Sequence, residues 1–353
     1  MKKIKIFSIN LVIFLISILI IELLFGGWFQ SDNLGAYFRE HRMKKVPYSI
    51  KYNGEIYNFT YLRNYHGFIG EEISPKKIEA VLIGGSTADE RWKPRKFSIA
   101  EQLNKKLKAD GLNLKIVNSG IEGQSTVGYI ANFKFWYSKL ENFKPKYFIF
   151  YTGINELLKT DYDQWDFSDG GAKLVEKDEK KRFEDNVKSK SFFLDSIRRI
   201  KHKYYTSRKT NFMDLDKPYL PPKEVKIKKY DYLKFKEAYE IENMEDLLKK
   251  NKDPISSYLN NIDLLVNYTK EYSAKAIIIN QVTAYGGHNK YHVALNYALR
   301  NHCKKKKYNC IDLATNFQGK EDFWYDWIHT TPKGSEVISN SIYPELLKFI
   351  KGK

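Results

Sequence analysis

Apolar positions follow three rhythms along this chain of 353 residues. The first is an unbroken block. From Ile6 to Ile21 no side chain is charged, and Leu23-Leu24-Phe25-Gly26-Gly27-Trp28-Phe29 carries the run past Glu22. About 20–24 such residues are enough to cross a hydrocarbon core about 30 Å thick. The second rhythm is the short apolar run: Ile78–Ile83, Leu112–Val117, Tyr147–Tyr151, Ala276–Ile279 and Asn309–Leu313. Runs of this length, bounded by glycine or polar residues, predict buried strands. The third is helical spacing, found over Phe97–Lys108, Val127–Leu140, Ile255–Tyr272, His288–Lys305 and Pro332 to about Ile350. Strands alternating with helices predict a three-layer α/β/α domain. Its sheet is mostly parallel and covered on both faces, with the working site at the carboxyl ends of the strands.

Two stretches interrupt the alternation. Residues 30–75 read as a polar, aromatic-rich approach segment with a small hairpin around Tyr48–Leu62. Residues 156–253 are rich in Lys, Asp, Glu and Tyr, with Pro218, Pro221 and Pro222 in the middle. They read as a partly helical insertion, either a lid or a solvated loop. The chain therefore divides into a transmembrane anchor (1–29), the approach segment (30–75) and one α/β domain (76–353) with an insertion at about 156–253.

Composition changes this picture little. The net charge of +18 raises the question of an anionic partner, such as nucleic acid, anionic lipid or an acidic glycan. Its lysines are spread along the chain, and no zinc-finger spacing, basic-region heptad or RNP-type aromatic motif accompanies them, so nucleic acid is not the expected partner. An acidic glycan stays a candidate, beside plain compositional bias. The basic head Lys2-Lys3-Ile4-Lys5 is expected to stay in the cytoplasm, which places the body outside it as a single-pass protein. Arg39, Arg42, Lys44 and Lys45 pull the other way from a greater distance. The bulky Trp28-Phe29 end, in place of a small-x-small cleavage site, favours an uncleaved anchor. Cys303 and Cys310 exclude a disulfide framework and leave one bridge open.

Candidate chemistry gathers at the predicted strand ends. Gly84-Gly85-Ser86-Thr87 permits a sharp strand-to-helix turn with the Ser86 hydroxyl exposed at a helix mouth. The small residues of Asn118-Ser119-Gly120-Ile121-Glu122-Gly123-Gln124-Ser125 let a backbone N–H approach a bound oxygen. Gly153-Ile154-Asn155-Glu156 offers a side-chain amide, and convergent donors of this kind form an oxyanion hole. Asp326-Trp327-Ile328-His329 can hold one imidazole nitrogen on a carboxylate while the other faces a nucleophile.

Gly-Gly-Ser, Gly-x-x-Gly, Gly-x-Asn and Asp-x-x-His, in this order at successive strand ends, resemble the four conserved blocks of the SGNH (GDSL-like) hydrolases. Asn64-Tyr65-His66-Gly67-Phe68 and His329-Thr330-Thr331-Pro332-Lys333-Gly334 resemble flanking stretches of membrane-anchored members, which often carry a Glu in the anchor, as at Glu22. The resemblance covers about residues 60–155 and 255–350. It implies the flavodoxin-like SGNH fold and a serine esterase that needs no cofactor or metal and acts on an acyl ester, an O-acetyl group among the candidates, of an envelope carbohydrate or lipid. Ser86 would be the nucleophile, His329 the base and Asp326 its orienter. Ser86 N–H, Gly123 N–H and the Asn155 amide would form the oxyanion hole. Two departures stand out: Gly85 replaces the usual Asp, and Glu156 follows Asn155 where Asp is common. An O-acyltransferase modifying an envelope polysaccharide and a non-catalytic assembly scaffold are the rival expectations. His288 and His292 stand four apart on a predicted helix, but Asn289 occupies the place of the Glu in His-Glu-x-x-His, so they read as a surface pair rather than a metal site.

Overall fold

The computed structural model describes residues 2–28, 34, 42–52, 54–157, 190–194, 196–197, 200, 223–225 and 230–352. At its centre is a five-stranded sheet built from β3 (Ala80–Gly84), β4 (Ile116–Asn118), β5 (Tyr147–Thr152), β7 (Lys275–Asn280) and β8 (Asn309–Ile311). The spatial order is β4-β3-β5-β7-β8, and every neighbouring pair is parallel. In chain order that is 2-1-3-4-5, the flavodoxin-like arrangement. Its topological switch lies between β3 and β5, whose carboxyl ends carry Ser86 and Asn155.

Near-continuous apolar strands follow from burial on both faces. Val81, Ile83, Phe148, Phe150 and Ile278 enter one core, and their neighbours Leu82, Ile149, Tyr151, Ile277 and Ile279 enter the other. The first core is roofed by α4 (Thr126–Phe135), α8 (Lys252–Glu271) and α9 (Lys290–Lys306), and is dense in rings: Phe133, Trp136, Tyr137 and Phe148. The second is roofed by α3 (Ile99–Ala109) and α11 (Pro332–Lys351), which meet through Leu103, Leu107, Ile338, Ile342 and Leu346. Local chemistry sets the helix ends. Ser98 caps α3 by accepting from Glu101 N–H, Thr331 caps α11 ahead of Pro332, and Gly352 closes α11 in the left-handed region.

Outside the main sheet, β1 (Lys44–Tyr52) and β2 (Glu55–Arg63) form the expected antiparallel hairpin, joined by β6 (Lys223–Val225) parallel to β1. At the chain start, α1 (Lys2–Phe25) contains the apolar stretch Ile6–Phe25, with mean hydropathy 2.7 and none of it buried. Cys303 and Cys310 are disulfide-bonded, tying the end of α9 to β8.

Several boundaries differ from expectation. The second strand begins at Ile116 rather than Leu112, because only Ile116–Asn118 find partners on β3 and the Asn104 side chain binds both Ile116 N–H and its carbonyl. The helix expected to reach Leu140 ends at Phe135 and continues as a 3₁₀ turn over Tyr137–Lys139, and β8 stops at Ile311, where Asp312 caps the short α10 (Leu313–Asn316). Regular structure resumes at α6 (Phe235–Ile241) and α7 (Met244–Lys250), inside the expected insertion. The choice between lid and loop falls largely on 158–189 and 201–222, outside the described residues. The surface pair is also corrected. His288 is exposed beside Asp231, whereas His292 is fully buried edge-on to Phe235, and burial pushes its ring down to about 3.

Candidate active site

The chain leaves β3 through Gly84 and Gly85 and turns at once into α2 (Ser86–Asp89), with Ser86 as its first residue. A side chain at 85 would displace the Asn155 amide. A Cβ there would lie 1.9 Å from Asn155 Nδ2 and 3.0 Å from the Gln124 carbonyl. The departure from Gly-Asp-Ser thus coincides with a close approach of the Asn155 amide to the backbone.

At the other end of the chain, Asp326 organises a tight turn. Its Oδ1 accepts from the N–H groups of Ile328 (2.9 Å) and His329 (2.7 Å), and its Oδ2 lies 2.6 Å from His329 Nδ1. Burial alone would raise the Asp326 carboxyl, but the His329 ring and the two N–H groups outweigh it and hold it below the usual range. With Nδ1–H donating to Asp326, Nε2 is left as an acceptor. It stands 2.8 Å from Ser86 Oγ, across 243 positions of sequence. Tyr325 stacks on the imidazole with ring centres 5.6 Å apart.

Gly123 and Asn155 come to the same corner. Asn155 Nδ2 donates to the Gln124 carbonyl at 2.5 Å, which fixes the amide and, among the described residues, leaves its second hydrogen without an acceptor. Gly123 holds φ at +79° in the loop beside it. Among the described residues, neither Ser86 N–H nor Gly123 N–H donates to any acceptor. Glu156 is accounted for as well. It is buried and takes both the N–H (2.7 Å) and the hydroxyl (2.8 Å) of Thr126, closing the start of α4.

Three supports escaped the sequence reading. Gln281, just past β7, donates to Thr87 Oγ1 (2.8 Å) and the Tyr151 carbonyl (3.2 Å), and accepts from Ile154 N–H (2.7 Å). One buried amide thereby joins the ends of three strands. Lys93 Nζ meets Glu90 Oε1 (2.9 Å), Thr330 Oγ1 (2.8 Å) and Ser335 Oγ (2.6 Å), while Glu90 Oε2 takes Ile99 N–H (2.6 Å). Burial lowers the Lys93 ammonium against the opposing pull of Glu90. This network clasps the segment after Ser86 to the segment after His329. Finally, Asp89 accepts from Tyr61 (2.6 Å) and Arg91 (2.6 Å), Arg91 reaches Glu122 (2.6 Å), and Arg63 donates to the Gly120 carbonyl. The hairpin is in this way part of the footing beneath the Gly120–Gly123 loop. No spacing rule reveals such contacts, since each joins residues remote in sequence. No group of three or more metal-binding side chains occurs among the described residues.

No family model matches the sequence, and no curated protein matches it. Solved structures of similar shape include TesA, at TM-score 0.42 and 11% identity over 76% of this chain and 98% of that one. The psychrotrophic esterase EstA from Pseudoalteromonas sp., inhibited by monoethylphosphonate, gives TM-score 0.42 and 11% identity over 77% and 99%. A catalytic mutant of Axe2, an acetylxylan esterase from Geobacillus stearothermophilus, gives TM-score 0.42 and 11% identity over 76% and 94%. Likeness at this level carries no weight in assigning the site, which rests on its own geometry.

Proposed function

We propose that this chain is a membrane-anchored serine esterase of the SGNH type, cleaving an acyl ester of an envelope carbohydrate or lipid outside the cytoplasm. The observation that carries the reading is the continuous relay Asp326–His329–Ser86, with contacts of 2.6 and 2.8 Å. Ser86 Oγ attacks the ester carbonyl as His329 Nε2 takes its proton, and Asp326 stabilises the imidazolium that forms. The tetrahedral oxyanion is held by Ser86 N–H, Gly123 N–H and the free hydrogen of the Asn155 amide. Collapse expels the alcohol, which receives the proton from His329. Water, activated by the same imidazole, then cleaves the acyl-enzyme and restores Ser86.

Two features support the location. Ile6–Phe25 is long and apolar enough to span a bilayer behind a basic head, and a disulfide belongs to an oxidising compartment. The test is a fluorophosphonate probe on the folded protein together with hydrolysis of p-nitrophenyl esters. Ser86 should be the labelled residue, and Ser86→Ala should abolish both labelling and turnover. Full esterase activity in Ser86→Ala overturns the assignment.

A further inference from the structure

An acid within an apolar span is costly and asks for a partner. Glu22 has its partners far along the chain. Its carboxylate accepts from Ser191 Oγ (2.5 Å), Phe192 N–H (2.9 Å), Phe193 N–H (3.2 Å) and Trp28 Nε1 (3.0 Å). One step beyond, Gly27 N–H donates to the Lys190 carbonyl at 2.7 Å. Ser191 Oγ in turn accepts from Leu194 N–H at 3.2 Å, the capping contact of a helix start, and residues 192–194 and 196–197 are helical. The end of α1 is therefore stitched to the start of a second helical segment.

That segment shows its apolar side chains to the surroundings. Phe192, Leu194, Ile197 and Ile200 are 38, 43, 60 and 69% exposed. The Phe192 ring lies 5.6 Å from that of Phe25, so this apolar set is continuous with the exposed end of α1. In sequence the segment is interleaved with Lys188, Lys190, Arg198, Arg199, Lys201 and Lys203 against the single acid Asp195. Exposed apolar residues alternating with basic ones are what the headgroup layer of an anionic bilayer binds. A second copy of the same basic segment would be repelled.

We propose that the described residues 190–194, 196–197 and 200 lie in the interfacial layer of an anionic membrane, held beside the emerging span by Glu22. The domain is then fixed to the bilayer at two adjacent points rather than hanging from one tether. The inference rests on the reading of α1 as a span.

The full-length chain, reconstituted in phosphatidylglycerol–phosphatidylcholine vesicles, tests it. Both native cysteines are disulfide-bonded, so Ile197→Cys or Leu15→Cys takes an environment-sensitive fluorophore selectively. The Leu15 label should be quenched by nitroxides deep in the acyl chains, and the Ile197 label by nitroxides near the headgroups. The Ile197 quenching should weaken in phosphatidylcholine alone and be lost in Glu22→Leu. A quenched Leu15 label with a water-exposed, unquenched Ile197 label overturns the inference and leaves the span standing. An Ile197 label that is blue-shifted yet unquenched reports a protein contact and also overturns it. Unchanged quenching in Glu22→Leu removes Glu22 as the tie, and unchanged quenching in phosphatidylcholine removes the anionic preference. An unquenched Leu15 label removes the span itself.

Discussion

Asn155 shows how much a single side chain is asked to do at this site. Its Nδ2 is pinned by the Gln124 carbonyl at 2.5 Å and lies so close to Gly85 that a Cβ there would push the amide from its place. A donor fixed before the substrate arrives costs no reorganisation when charge develops, and for that reason removing one such donor lowers kcat by about 10²–10³. Asn155→Ala should show that loss in kcat with KM little changed. A fall in thermal stability with kcat intact would reduce Asn155 to a structural strut. At this scale the sequence was most legible. Ser86, Asp326 and His329 stood in short motifs with readable chemistry, and the structure brings Ser86 and His329 within 2.8 Å, whereas the donor roles of Gly123 and Asn155 were implied by the resemblance and remain proposals. The Gly85 and Glu156 departures could be noticed in sequence, but their reasons lie in contacts with Asn155 and Thr126.

Elements meet through buried polar groups that periodicity does not register. Lys93 and Glu90 have side chains only 2% exposed, and together they join the end of the Ser86 turn to Thr330 and Ser335. Removing one partner of a buried pair strands the other charge, at a cost of about 3–5 kcal/mol. Lys93→Met should lower urea-unfolding stability by that order, and adding Glu90→Gln should recover much of it. His292 gives a second prediction at this scale. A histidine read as superficial stands instead on the inner side of α9, because the helix turns it toward Phe235. Its folded pKa of about 3 lies below the ordinary imidazole value of 6.5, so the unfolded chain binds the extra proton first. Stability from this residue is complete above about pH 6.5 and falls as pH drops toward 3, by an amount on the order of 4 kcal/mol. Chemical denaturation across that range should show the decline, and His292→Phe should flatten it. The strands of the sheet were legible because burial on both faces makes them continuous apolar runs. The helices α6 and α7 were not, since apart from Phe235 and Ala238 they bury little of their own surface.

For the whole molecule, one covalent bond tests the proposed placement of the domain outside the cytoplasm. The apolar helix Ile6–Phe25 was legible as composition, whereas the tie from Glu22 to Ser191 was not, because 169 positions separate them. The bond between Cys303 and Cys310 joins α9 to β8, away from the relay of Ser86 and His329. Closing so short a loop restricts the unfolded chain by about 2–3 kcal/mol in the loop-entropy picture. In an oxidising compartment the bond persists, while cytosolic reductants would keep both thiols free. Cells quenched in acid, with the denatured chain then treated with a polymer-linked maleimide, distinguish the two. A domain outside the cytoplasm should show no mass shift before reduction and two added polymers after it. Two added polymers without reduction would put the domain in the cytosol and reverse the orientation drawn from Lys2, Lys3 and Lys5. Because the bond lies away from the relay, Cys303→Ser with Cys310→Ser should lower stability and leave ester turnover near the parent level at temperatures where the protein stays folded.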